Sequence, residues 1–177
     1  NGVFPDGKDT LNHFWSLAIE EQFYFVWPLT LWMAWRLGSS AGGSDKKRLL
    51  AVVSGVGALS LLLSAILSWV HPQYVFYFLP TRAWELCAGA LLVALPPVAG
   101  RLKKGLCASV GLALIGSSAV FFTHDLLYPG WAACIPVLGA MLVIAAGPHT
   151  WVNQKCLSSS LLVHLGKWSF SIYLWHW

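Results

Sequence analysis

The chain has 177 residues, of which 57% are hydrophobic and 10% charged, with mean hydropathy +0.64 and eleven tryptophans. A soluble domain carries nearer to about 25% charged residues, so this composition excludes an ordinary water-soluble globule and points to an integral membrane protein. The formal net charge of +4 does not indicate nucleic acid as a partner, because Lys and Arg fall in short connections between apolar runs and not on one face.

Residues 1–12 are polar, with Pro5 and Asp6-Gly7, and read as loop. An apolar helix is expected over 14–35. It opens on Trp15-Ser16-Leu17-Ala18-Ile19-Glu20-Glu21-Gln22-Phe23-Tyr24 and carries Pro28 somewhat deeper. Two carboxylates at the mouth of an apolar span are costly, and such a cost points to use; a first-turn cap that answers the helix dipole is the plainer alternative. Glu20 and Glu21 stand about 100° apart on a helix, so they cannot share a face, and at least one is expected to turn toward neighbouring helices. Pro28 lacks an N–H and releases the carbonyl of Tyr24 as a spare acceptor.

A basic connection rich in Gly and Ser leads to a second helix over 49–70, long enough to span at about 20 residues. His71-Pro72 ends it. Residues 74–79 are an aromatic stretch suited to a membrane–water boundary, and Pro80 favours a helix start just after it. The third helix carries Thr81-Arg82-Ala83-Trp84-Glu85-Leu86 and stops at Pro96-Pro97. Arg101, Lys103 and Lys104 form the next basic loop before a fourth helix over 106–122. A turn through His124-Asp125 and Tyr128-Pro129-Gly130 precedes a fifth helix over 131–146, and 150–160 read as polar connection. Leu161 to Lys167 then lead into a sixth helix from Trp168 onward. The expected fold is therefore all-α, a polytopic transmembrane bundle with about six helices in this chain.

Lys and Arg alternate between the two ends of these helices. The connections after the first, third and fifth helices are basic and the other two are not, which places the basic ends in the cytoplasm. Glu20, Glu21, Arg82 and Glu85 then enter near the outer face. His176 comes to lie roughly 13 Å into a core about 30 Å thick. Arg82 and Glu85, spaced i, i+3, either neutralise each other so that the helix can insert, or leave Arg82 to reach across to Glu20 or Glu21. His176 is open to three readings: a base, a hydrogen-bonding post, or a packed neutral ring. His124 and Asp125 are either solvated loop polarity or part of a site. Cys87, Cys107, Cys134 and Cys156 are scattered without a Cys-x-x-Cys pair and read as small packing residues; no metal site is expected.

Trp15-Ser16-Leu17, followed by Glu20-Glu21-Gln22-Phe23-Tyr24 and Trp27-Pro28, closely resembles the signature helix of acyltransferase family 3, the multi-pass membrane O-acyltransferases of bacterial cell-surface glycans. Thr81-Arg82-Ala83-Trp84-Glu85-Leu86 followed by Gly89-Ala90-Leu91-Leu92 is similar to a second family element. Ser169-Phe170-Ser171-Ile172-Tyr173-Leu174-Trp175-His176-Trp177 is similar to a late one, with Phe170 where Tyr is common. The resemblance implies that residues 1–177 are the later part of the family's transmembrane domain, cut at both ends.

It further implies transfer of an acyl group, often acetyl, from a cytoplasmic donor such as acetyl-CoA to a hydroxyl of lipopolysaccharide, exopolysaccharide or peptidoglycan. The setting would be the bacterial inner membrane, with membrane lipid and the glycan acceptor as partners and no bound cofactor. Members with the same ending continue into an extracytoplasmic SGNH hydrolase-like domain. The family's expected general base is a His on an early helix that this sequence does not contain. Within the chain, Glu21 is the first expected site residue, then Glu20, Arg82, Glu85 and His176, with Trp15, Ser16, Tyr24 and Trp84 lying against the substrate. A transporter or flippase for a lipid-linked sugar or organic acid is the rival reading, with the same charges lining a pathway. Against it, no internal repeat and no matched pair of broken helices is found.

Overall fold

The computed structural model describes residues 15–38, 45–70, 75, 77–122 and 130–175. Among them stand six α-helices: α1 (Trp15–Gly38), α2 (Asp45–Val70), α3 (Leu79–Ala94), α4 (Arg101–Phe121), α5 (Cys134–Ala146) and α6 (Ser160–Trp175). A 3₁₀ turn, Trp131–Ala133, leads into α5, and a π-helical turn, Val152–Leu157, joins α5 to α6. No described residue lies in a strand.

Local chemistry explains the helix ends. In α3, Pro80 sits in the first turn, where its missing N–H would have had no partner. Thr81 is fully buried, and its hydroxyl oxygen lies 2.6 Å from the Phe78 carbonyl and 2.7 Å from that of Val75, so one proton is shared between two acceptors. The helix closes at Leu95, whose extended backbone is what the following Pro96 requires. Gly100, at φ +88°, turns the chain into α4, and Gly147, at φ +75°, turns it out of α5; both angles suit a residue without Cβ.

Several limits differ from the sequence expectation. α2 already begins at Asp45, α4 at Arg101 and α6 at Ser160, so basic stretches expected as loop are wound into helix. The polar segment expected as a connection over 150–160 is largely the π-helical turn. There the Thr150 hydroxyl accepts the Asn153 N–H, while Asn153 Nδ2 donates to the Gly147 carbonyl at 2.7 Å and to that of Val143 at 3.3 Å. These bonds strap the turn to the end of α5.

Packing follows two helix pairs, α2 along α3 and α4 along α5, with α1 laid against α2 and α3 and with α3 touching α5. Phe23, Val53 and Cys87 form one buried cluster, and Ala108, Ala146 and Val152 another. The α4–α5 contact is unusually close: a Cβ on Gly111 would fall 2.6 Å from the Gly139 carbonyl oxygen, and one on Gly139 would fall 2.8 Å from that of Gly111. Small residues at a helix crossing gain dispersion contact in this way, a device suited to an apolar surrounding where helices are not driven together by water. Among the described residues two helices, Lys46–Val70 and Arg101–Phe121, are long and apolar enough to cross a membrane. No residue of α6 is buried, and its main contact is with the π-helical turn.

Candidate functional site

α1 packs through Ile19, Phe23 and Trp27, spaced i, i+4, i+8 on one face. The Phe23 and Trp27 rings stack with centroids 5.0 Å apart. Choosing that stripe fixes the rest. Glu20, Glu21, Gln22 and Tyr24 fall off it and are all exposed, Tyr24 at 62%. The expectation that one of the two carboxylates turns in among the described helices is therefore not met, because the bulky apolar residues on either side of them occupy the contact face. Trp15 and Ser16 belong to the first turn of α1; their side chains, and His176, His124 and Asp125, lie outside the described residues.

The sequence stretch on α3 is held more firmly. Ser60, Ser64 and Ser68 form a buried stripe along α2. Ser60 Oγ accepts the backbone N–H of Trp84 at 3.0 Å and donates to the carbonyl of Pro80 at 2.6 Å. One hydroxyl from α2 thus bonds two backbone groups of a single turn of α3, and it ties the turn Pro80–Trp84 to its neighbour. Sequence reasoning passed over this serine. Its signal was the repeat of a small polar residue every four positions in an otherwise apolar span.

On the turn so fixed, Arg82 and Glu85 pair side by side. Arg82 Nε donates to Glu85 Oε1 at 3.2 Å and Arg82 Nη2 to Oε2 at 2.9 Å, a bidentate arrangement with both side chains half-buried. A planar guanidinium matched to a carboxylate in this way presents fixed dipoles, and it keeps the pair's net charge at zero in an apolar setting. Trp84 is buried, and among the described residues its indole N–H has no hydrogen-bond partner. A buried donor without an acceptor carries a desolvation cost. The four cysteines are free thiols, with Cys87 buried against the α2 backbone near Gly57. No group of His, Cys, Asp and Glu among the described residues is arranged to hold a metal ion.

Fold and site together define an all-α protein with an apolar exterior and a bidentate ion pair steadied from a neighbouring helix. Comparison with curated proteins narrows that class. The chain is 31% identical over 94% of its length to "Peptidoglycan O-acetyltransferase OatA" of Listeria monocytogenes, and 34% identical over 94% to "Putative peptidoglycan O-acetyltransferase YrhL" of Bacillus subtilis. It is 29% identical over 93% to "Putative membrane-bound transacylase BcsY" of Komagataeibacter xylinus. These names imply an acyltransferase family. The chain spans 28% of the length of the first two relatives and 40% of the third. No family model matches the chain, and no solved structure matches it.

Proposed function

We propose that the chain is part of a multi-pass membrane O-acyltransferase of family 3, which moves an acetyl group from a cytoplasmic donor such as acetyl-CoA to a hydroxyl of a cell-surface glycan. The observation that carries this reading is the similarity to O-acetyltransferases along 94% of the chain, which takes in the costly polar residues of α1 and α3. In the reaction a base takes the proton of the sugar hydroxyl and the alkoxide attacks the donor's carbonyl carbon. The C–S bond breaks and the thiolate leaves to be protonated. Negative charge gathers on the carbonyl oxygen before that bond breaks, and a preoriented cation or N–H group beside it lowers the barrier.

In this reading Arg82, aligned by Glu85, and the unpartnered indole N–H of Trp84 are suited to that oxygen or to the acceptor. Glu20 and Glu21 are exposed on α1 and available to a glycan or to parts of the protein beyond residues 1–177. Glu21 positions the acceptor hydroxyl, with Glu20 beside it and with Trp15, Ser16 and Tyr24 along the sugar. His176 serves as a hydrogen-bonding post. The chain sits in the bacterial inner membrane with its basic connections in the cytoplasm.

The test is transfer of radiolabelled acetyl to surface polysaccharide by cells carrying the intact gene. Glu21→Gln, which keeps size and removes charge, should abolish labelling while membrane insertion stays normal. Wild-type labelling by that variant would take Glu21 out of the site.

A further inference from the structure

A hollow of about 620 Å³ opens where the start of α4 meets the π-helical turn, and it is built from residues to which the transferase reading gives no role. Arg101 and Lys104 reach it from the first turn of α4, Lys155 and Gln154 from the π-helical turn, and His149 and Trp151 from the segment between α5 and that turn. Among the described residues no acidic one lines it. Nor is one near in sequence, since Asp125 is the sole acid after Glu85. The cations therefore gather without a counter-charge supplied by their own elements.

The placement of the two cations on α4 is unfavourable on its own terms. The start of a helix carries partial positive charge, and Lys or Arg belongs at the opposite end. α4 nevertheless opens with Arg101, Lys103 and Lys104, has no side-chain cap at Gly100, and makes its first bond from the Lys104 N–H to the Gly100 carbonyl. The N–H groups ahead of that bond are left without helix partners beside a hollow that already holds three cationic side chains. Every one of these features becomes favourable if the hollow receives an anion. Its volume exceeds what a single carboxylate or phosphate fills and falls in the range of sites for small organic ligands. Trp151, 73% exposed at the edge, offers a flat apolar face to the rest of such a ligand.

We propose that this hollow binds clustered phosphoryl groups. Guanidinium, ammonium and free backbone N–H groups converging on one space are the donor set that phosphate oxygens take. Two sources carry that chemistry at a membrane face: a nucleotide with several phosphates such as coenzyme A, and a phospholipid with two phosphates such as cardiolipin. The lipid source stands apart from the transferase reading, whereas the nucleotide source rests on it, being the carrier of the donor named there.

The full-length protein is purified in neutral detergent and titrated with coenzyme A by calorimetry. In a second arm it is reconstituted with cardiolipin in phosphatidylcholine, and retained cardiolipin is counted by native mass spectrometry. The double variant Lys104→Gln/Lys155→Gln should weaken binding in one arm or both by about tenfold or more, as loss of charge-assisted bonds to phosphate does. Lys103→Gln, which removes the same charge from the same turn without lining the hollow, should change it less than about twofold, as a screened surface charge does. Loss in the first arm names the nucleotide as the source, and loss in the second names the lipid. Thermal melting of both variants checks that they fold. If the wild type binds neither probe, or the double variant binds both as the wild type does, the hollow is not a phosphate site. Because both readouts are of binding, failure here leaves the acetyl-transfer assay untouched, and failure there leaves this result standing.

Discussion

Ser60 shows how one small polar side chain governs the setting of an ion pair. Its hydroxyl stands between the Pro80 carbonyl and the Trp84 N–H, at 2.6 and 3.0 Å, and so sets how the turn bearing Arg82 and Glu85 faces α2. Removing it leaves the two backbone groups inside α3, where they are i, i+4 helix partners. What is lost is the link between helices and little else. Ser60→Ala should therefore lower stability by about 0.5–1.5 kcal/mol, the net worth of a hydrogen bond whose partners find another. Ser54→Ala, at an exposed position on the same helix, should stay within about 0.5 kcal/mol of the wild type. Unfolding of the full-length protein in detergent, followed by circular dichroism, measures both. Equal effects from the two variants would mean that the Ser60 bridge does not hold α3.

Between elements the decisive contact is the crossing of α4 and α5, where Gly111 and Gly139 lie backbone to backbone. A methyl group on Gly111 would meet the Gly139 carbonyl oxygen at 2.6 Å and Val143 Cγ2 at 2.8 Å, and backbone cannot yield as a flexible side chain does. Gly111→Ala should force the helices apart and cost about 1–3 kcal/mol, as overpacking of a close contact does. Gly116→Ala, on the same helix with open space around its Cβ, should be neutral or gain up to about 1 kcal/mol from better helix propensity. The same unfolding measurement separates them, and a neutral Gly111→Ala would remove the crossing as a determinant of the fold.

The limits of these elements were only partly legible in the sequence, and the misses have a common cause. Hydropathy marks where a chain is apolar, not where its backbone is helical. Lys, Arg and Gln are good helix formers, so α2 and α4 continue through Lys46, Lys47, Arg101 and Lys104 with their ladder intact. The i, i+3 spacing of Arg82 and Glu85 did disclose their pairing. The outward direction of Glu20 and Glu21 was not readable. Apolar residues flank the carboxylates on more than one side of α1, and only its neighbours select the stripe of Ile19, Phe23 and Trp27.

At the scale of the whole molecule, the exterior is as greasy as a core. Phe25, Trp69, Val93 and Trp175 are each more than 70% exposed, and in water such a surface would aggregate. A bilayer removes that penalty, and the distribution of charge then sets which end faces which side. Lys103 stands exposed at the basic end of α4, whereas Tyr77 stands exposed ahead of α3, in the connection that carries no Lys or Arg before Arg82. Each basic residue held on the cytoplasmic side biases orientation, so these two positions should fall on opposite faces. With the four native cysteines changed to alanine, Tyr77→Cys should react with a membrane-impermeant maleimide added to intact spheroplasts. Lys103→Cys should react only after the membrane is inverted or permeabilised. Labelling of both from the same side would break the alternation, and it would remove the outer-face position that the proposed function requires of the Arg82–Glu85 pair.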